Sequence, residues 1–304
     1  MKLIASDMDG TLLNKYWRIS DENRAAVLEA QAAGIHFVIA TGRPYTNVNV
    51  IIEEAGISCP VISLNGAQTH DASGKLIASQ PLSKQQVRAV HDILLEEGMY
   101  FELMTEQGAI SLSHDRYVEI AQYYGAMELS HLPEVERHET VLRMCEERIR
   151  NERCQFVDSF ERYLNDDQLD ILKIFALTTD EECFNRCDER VRQLTGLAVS
   201  SSAHGNLEVN AQNGNKGYAV QQYAASLGLE PSDIMAMGDG FNDLSMLKMA
   251  GRGIVMDNAP DSLKALIANR TKRNTEHGVA YAIRQLLEEK GLSAASEIAS
   301  SVER

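Results

Sequence analysis

Asp7 and Asp9 stand two residues apart in the segment Ser6-Asp7-Met8-Asp9-Gly10-Thr11. Carboxylates crowded into one turn repel each other, and a bound dication is the simplest relief. Oxygen donors with no His or Cys beside them suit Mg²⁺ better than zinc. Three further segments carry compatible groups. Thr41-Gly42-Arg43 offers a hydroxyl and a backbone N–H, both good donors to phosphate oxygens. Asn215-Lys216-Gly217 brings a cation to the start of a helix, and Gly238-Asp239-Gly240-Phe241-Asn242-Asp243 packs two more carboxylates and an amide into a glycine turn. Taken singly, each has a plain structural reading: an acidic turn, a Thr-Gly turn, a solvated lysine, a tight loop. Together, and in this order, they describe a phosphate site built around a metal.

The elements that must position these groups show in the apolar pattern. Leu3 to Ser6 is a short buried strand that runs straight into Asp7. Ser20 caps a helix with Asp21 and Glu22 in its first turn, and Gly34 ends it. Ile35 to Ala40 is a second strand, delivering Thr41. Pro44 opens another helix, with Val48, Ile51, Ile52 and Ala55 on one face and Gly56 at its end. Val61 to Leu64 is a third strand. This alternation predicts a parallel sheet with both faces covered. It returns after Lys216 with a helix to Leu227, a strand from Ile234 to Met237, a helix from Asp243 to Ala250, a strand from Gly253 to Met256 and a last helix from about Gly278 to Lys290.

Between the two halves the pattern differs. Ser83 opens a helix to Gly98, strand-like runs follow at Tyr100–Met104, Ala109–Leu112, Ile171–Leu177, Leu197–Ser201 and Leu207–Asn210, and a helix covers Glu181–Leu194. The expected fold class is therefore α/β: a doubly wound, Rossmann-like parallel-sheet core of residues 1–82 and 211–304, with an inserted α+β domain at 83–210. The Ser- and Ala-rich tail from Leu292 is expected to fray.

Bulk properties narrow the function classes. The 304 residues allow roughly two domains. With 29 Lys and Arg against 44 Asp and Glu, the net charge of −15 argues against a nucleic-acid binder, and no basic cluster or aromatic ladder points to one. No stretch approaches the roughly 18 apolar residues of a membrane span, and Asp7 and Asp9 interrupt any signal-peptide core. The five cysteines, Cys59, Cys145, Cys154, Cys183 and Cys187, are odd in number and thinly spread, so no disulfide framework is expected. Cys183 and Cys187 share a helix face and read as packing residues. A reducing, cytoplasmic setting is expected; oligomeric state is not legible.

The four segments resemble the four motifs of the haloacid dehalogenase superfamily of phosphohydrolases: DMDGTLL the first, ATGR the second, NKG the third and GDGFND the fourth. The position of the insert resembles the type IIB cap of the Cof-like subfamily. So does the ending Met256-Asp257-Asn258-Ala259 followed by Asn274 to Ala280, although Asp257 and His277 depart from the pattern.

The resemblance implies a Mg²⁺-dependent phosphatase of small phosphomonoesters, with sugar phosphates or related metabolites as the default substrates. In it Asp7 is the nucleophile that forms an aspartyl-phosphate, and Asp9 is the general acid and base. Mg²⁺ is held by the Asp7 side chain, the Asp9 carbonyl and Asp239. Lys216, Thr41, Asn242 and the backbone of Met8 and Gly42 bind phosphate, and Asp243 orients Lys216 or a water. For choice of leaving group the candidates are Arg43, Asn65, His204 and Asn206, with a structural salt bridge as the competing reading for Arg43. Rival readings are a phosphomutase with the same nucleophile, a phospho-accepting regulatory module of the receiver kind, and a non-catalytic binder of phosphorylated ligands.

Overall fold

Residues 1–202 and 204–292 are described by a computed structural model of the chain, which divides into two units, Met1–Ala78 with residues 215–292, and Ser79–Gly214. The expected fraying of the tail falls outside the described residues, apart from Leu292. In chain order the elements are β1 (Leu3–Ser6), α1 (Asp21–Ala32), β2 (His36–Ala40), α2 (Tyr45–Glu54), β3 (Val61–Ser63), β4 (Gln68–His70), β5 (Leu76–Ser79), α3 (Lys84–Glu96), β6 (Tyr100–Thr105), β7 (Gly108–Ser111), α4 (His114–Glu128), α5 (Glu134–Asn151), β8 (Gln155–Phe156), α6 (Glu161–Leu164), β9 (Ile171–Leu177), α7 (Glu181–Arg192), β10 (Leu197–Ser200), β11 (Asn206–Ala211), α8 (Lys216–Ser226), β12 (Ile234–Gly238), α9 (Leu244–Met249), β13 (Arg252–Val255), α10 (Asp261–Lys264), β14 (Asn269–Arg270) and α11 (Gly278–Glu289).

The first unit is built on a sheet of order β14-β13-β12-β1-β2-β3-β4-β5. All pairs from β14 to β3 are parallel, and β4 runs antiparallel to β3. Successive side chains of a strand face opposite ways. Ile4, Phe37, Ile39, Met235 and Met237 accordingly pack under α1, α2 and α11, while Leu3, Ala5, Val38, Ala40 and Ala236 pack under α8 and α9. Helices on both faces make the sheet doubly wound. The strands are buried on both sides, so they read as continuous apolar runs rather than alternating ones. Local signals hold at the helix starts: the Ser20 hydroxyl accepts from the Asn23 N–H, and the Asn215 side chain accepts from the Tyr218 N–H at the entry to α8.

The second unit has a six-stranded sheet of order β10-β11-β9-β6-β7-β8, antiparallel except for the short β7–β8 pair. One face packs on α3 and α7 through Val87, Val90, Leu94, Cys187 and Val191. On the other face Tyr100 and Leu177 meet α4 and α5 through Tyr117, Ile120, Val141 and Cys145. Cys183 and Cys187 are both buried in α7.

The structure departs from the sequence pattern at three places. Residues 79–82 and 211–214, assigned to the core from sequence, lie with the second unit. There the Leu82 N–H donates to the Ile171 carbonyl, and Ala211 pairs with Leu197. The polar segment Gln68-Thr69-His70 carries no strand signal, yet it pairs with β3 as β4. The helix expected from Asp243 begins instead at Leu244, after a single tight turn over Phe241–Asp243. Among the described residues no helix is long and apolar enough to cross a membrane.

Candidate active site

Adjacent parallel strands deliver their following loops to one sheet edge. Asp7 follows β1, Thr41 follows β2, Asn65 follows β3 and Asp239 follows β12, and these four strands are neighbours in the order β12-β1-β2-β3. In open α/β sheets this carboxyl-end edge is where ligands bind. The Asp7 N–H donates to the Met237 carbonyl at 2.9 Å, which ties the start of the first loop to the end of β12. Gly10 takes φ of +67°, and a Cβ there would run into the Asp239 carboxylate, so only glycine lets these loops close on each other.

The centre of the site is a buried ion cluster. Lys216 Nζ lies 2.6 Å from Asp7 Oδ1 and 2.6 Å from Asp243 Oδ1, and its side chain has no solvent exposure. Burial alone would lower the Lys216 pKa, but the charges of Asp243 and Asp7 outweigh it and hold the ammonium well above its ordinary value. Asp243 is saturated: its other oxygen accepts from the N–H groups of Asp239 and Gly240, both at 2.9 Å. It therefore positions Lys216 and the fourth loop.

The remaining carboxylates carry more negative charge than one lysine can balance. Burial, then the charge of Asp243, pushes the Asp7 carboxyl well above the usual carboxylate range. Burial and Asp243 likewise push Asp239 up to about 7, against a hydrogen bond from Thr11. Oxygens of Asp7, Asp239 and Asp243 lie within 4.8 Å of one another. Hard oxygen donors at this spacing, unfavourable when ionised alone, fit a divalent cation.

Two residues that brace Asp239 escaped the sequence reading. Thr11 Oγ1 donates to Asp239 Oδ1 at 3.1 Å. Asn258 Nδ2 donates to the Gly10 carbonyl at 2.8 Å and to Asp239 Oδ2 at 3.1 Å, while its Oδ1 accepts from the Asn274 N–H at 2.9 Å. In the sequence Asn258 stands only as part of the motif ending; its place after β13, next to β12, is the signal that points to the site.

The other expected residues distribute as follows. Met8 and Thr41 are fully buried in the first and second loops, with Gly42 following. Thr41 ties its loop to the third: its carbonyl accepts from the Asn65 N–H, and the Arg43 carbonyl accepts from the Leu64 N–H. Asn65 sits at φ of +61°, and its Oδ1 accepts from Asn242 Nδ2 at 3.4 Å. Arg43 grips Asp9, with Nε to Oδ2 at 2.7 Å and Nη2 to Oδ1 at 2.6 Å, which is the salt bridge of the two readings. His204 and Asn206 belong to the second unit. His204 is exposed in the turn before β11, and Asn206 is buried, accepting from the Ser201 hydroxyl at 2.8 Å and donating to the Ser202 hydroxyl at 3.0 Å.

Comparisons with known proteins agree with this architecture. Residues 4–283 match the family model of haloacid dehalogenase-like hydrolases. The chain is similar to phosphatase YwpJ of Bacillus subtilis, at 33% identity over 94% of this chain and 100% of the relative. It is similar to 5-amino-6-(5-phospho-D-ribitylamino)uracil phosphatase YwtE of the same organism, at 33% identity over 94% and 98%. A solved haloacid dehalogenase-like hydrolase from B. subtilis superposes with a TM-score of 0.84 at 30% identity, covering 94% of this chain and 100% of that one. With the match running from β1 to the middle of α11 and the carboxylates gathered at the carboxyl ends of the parallel strands, the chain belongs to the haloacid dehalogenase-like hydrolases.

Proposed function

We propose that this protein is a Mg²⁺-dependent phosphatase of small phosphomonoesters, sugar phosphates or related metabolites, working through an aspartyl-phosphate on Asp7. The observation that carries the reading is the Asp7–Lys216–Asp243 cluster beside Asp239, a nucleophile, a cation and metal-type donors brought together from loops far apart in the chain. Lys216 holds Oδ1 of Asp7 and so leaves Oδ2 as the attacking atom. That oxygen bonds to phosphorus as the ester P–O bond breaks, and Asp9 gives a proton to the departing oxygen. Asp9 then takes a proton from water. The water oxygen bonds to phosphorus, the bond to Asp7 breaks, and phosphate leaves.

The side chains of Asp7 and Asp239 and the Asp9 carbonyl would hold Mg²⁺, which offsets the repulsion between an anionic nucleophile and an anionic substrate. The Thr41 hydroxyl, the Asn242 amide, Lys216 and the backbone N–H groups of Met8 and Gly42 are assigned to the phosphate oxygens. Such preset donors supply most of the stabilisation in phosphoryl transfer, where charge spreads over three oxygens. The second unit is assigned to choosing the leaving group, with His204 and Asn206 as its candidates and Asn65 and Arg43 on the core. The names of similar phosphatases support small phosphorylated metabolites as partners, and free cysteine thiols accord with action in the cytoplasm.

The test is hydrolysis of p-nitrophenyl phosphate, followed by a panel of sugar phosphates and the phosphoribitylamino-uracil of the YwtE name. Activity is expected to vanish in EDTA, return with Mg²⁺, and be lost in Asp7→Asn while the circular dichroism spectrum is kept. Wild-type-like turnover by Asp7→Asn would overturn the reading.

A further inference from the structure

Trp17 is the chain's only tryptophan, and it stands on the loop that directly follows the Asp7–Thr11 turn. Leu13 pairs antiparallel with Ile19 to close that loop. Asn14 stiffens it: its N–H donates to the Arg18 carbonyl at 2.9 Å, and its side-chain oxygen accepts from the Tyr16 N–H at 2.9 Å. At the tip Trp17 takes φ of +59°. Gly or Asn enters that left-handed region freely, whereas a bulky side chain enters it at a cost. The sequence nevertheless puts its largest residue there, 55% exposed, beside Tyr16 at 68%. Strain held at a loop tip and a large aromatic surface left in water both point to use rather than to packing.

The ring lies beside a cation. The Arg43 guanidinium carbon lies 5.4 Å from the Trp17 ring centroid, and the same guanidinium grips Asp9 by two hydrogen bonds of 2.6 and 2.7 Å. Asp9, Arg43 and Trp17 thus form a continuous series from the proposed proton donor to an exposed indole. A leaving group attached to the oxygen that Asp9 protonates can extend along this series. We propose that Trp17, with the planar guanidinium beside it, is a stacking platform for the leaving group, and that the enzyme favours phosphomonoesters whose leaving group carries a planar aromatic ring. The inference rests on the phosphatase reading above. Tryptophan suits the role because it offers a large rigid face with two side-chain torsions to fix.

The experiment compares phenyl phosphate with glycerol 3-phosphate in the wild-type protein, Trp17→Phe and Trp17→Ala. Trp17→Ala is expected to raise KM for phenyl phosphate about tenfold, the effect of losing one stacking contact, and to raise it far less for glycerol 3-phosphate. Trp17→Phe should recover most of the difference. Equal changes in KM for both esters would overturn the platform; so would an unchanged KM with a fall in kcat larger for glycerol 3-phosphate, whose more basic leaving oxygen needs the proton more, which would make Trp17 a support for the Arg43–Asp9 pair. A second readout needs no turnover: in Asp7→Asn, phenyl phosphate should shift the emission of the lone tryptophan and glycerol 3-phosphate should not. An unchanged emission at saturating phenyl phosphate would also refute the platform. If the wild-type protein hydrolyses neither ester, the phosphatase reading fails, and the emission result still decides whether Trp17 meets an aromatic ligand.

Discussion

Arg43 holds both carboxylate oxygens of Asp9, Nε on Oδ2 at 2.7 Å and Nη2 on Oδ1 at 2.6 Å, in the two-pronged geometry that guanidinium and carboxylate share. A protonated carboxyl is a poorer acceptor at its O–H oxygen, so Asp9 must give up at least one of these bonds to serve as the acid. In the proposed mechanism the pair therefore aims Asp9 in its base form and loosens in the first half of the reaction. Arg43→Met is expected to lower kcat by about tenfold to a hundredfold, part of the roughly 10²–10⁴ that a positioned proton donor supplies. The loss should be larger for phenyl phosphate than for p-nitrophenyl phosphate, whose leaving group needs little protonation. Steady-state rates on the two esters check this, and equal losses would remove Arg43 from any part in aiming Asp9. Arg43→Lys should not restore the rate, since an ammonium cannot reproduce the fork.

Lys216 carries a structural load as well as its proposed chemical one. Lys216→Met would leave Asp7 and Asp243 buried and facing each other without a cation. Breaking such a cluster by removing one partner costs about 3–5 kcal/mol. Urea unfolding should show a loss of that size, and the additional change Asp243→Asn should return part of it. A Lys216→Met protein as stable as the wild type would mean that water or rearrangement, not Lys216, satisfies these carboxylates.

Asp239 sets a pH signature for the metal-free protein. Its pKa is pushed up to about 7 by burial and by Asp243, against 3.8 as the ordinary value. Between pH 4 and 7 the folded form therefore holds a proton that the unfolded form has released, so stability falls as pH rises through this window. In EDTA, Asp239→Asn should gain on the wild type steadily from about pH 4 to 7, with the gap constant above. Mg²⁺ should reverse the order at pH 7 by stabilising the wild type alone. Thermal unfolding across this pH range, with and without the metal, reads both effects, and parallel curves would refute the assignment.

Asn258 is expected to control metal affinity without touching the metal. Asn258→Ala removes the donor shared by Asp239 and the Gly10 carbonyl, and the acceptor of the Asn274 N–H. Loss of a partner that orients a metal ligand weakens binding roughly 10–100-fold. Calorimetric titration with Mg²⁺ or Mn²⁺ should show that loss, together with about 1–3 kcal/mol of stability from the groups left unsatisfied. Unchanged metal affinity in Asn258→Ala would show that Thr11 alone suffices to hold Asp239.

The strands and most helices were legible in the sequence because their causes are local: unbroken apolar runs for strands covered on both faces, Ser20 and Asn215 at helix starts, and glycines at turns. The groups gathered at the candidate site were legible for the same reason, since Asp7, Asp9, Lys216 and Asp239 each sit at a recognisable strand or helix end. Their partnerships were not. Arg43 and Asp9 are 34 residues apart, Thr11 and Asp239 are 228 apart, and Asn258 reaches Gly10 across 248. No periodicity spans such distances; only the neighbouring of β13, β12, β1 and β2 in one sheet closes them. The same limit hid β4, whose polar residues form a strand only because β3 lies beside them, and it misplaced the boundaries near residues 82 and 211, where backbone pairing with Ile171 and Leu197 decides the side taken. Sequence alone determined which chemistry was available to this chain. The tertiary structure decided which carboxylate is paired, which is saturated and which has its pKa raised by burial beside other carboxylates, because burial and charge exist only once the loops meet.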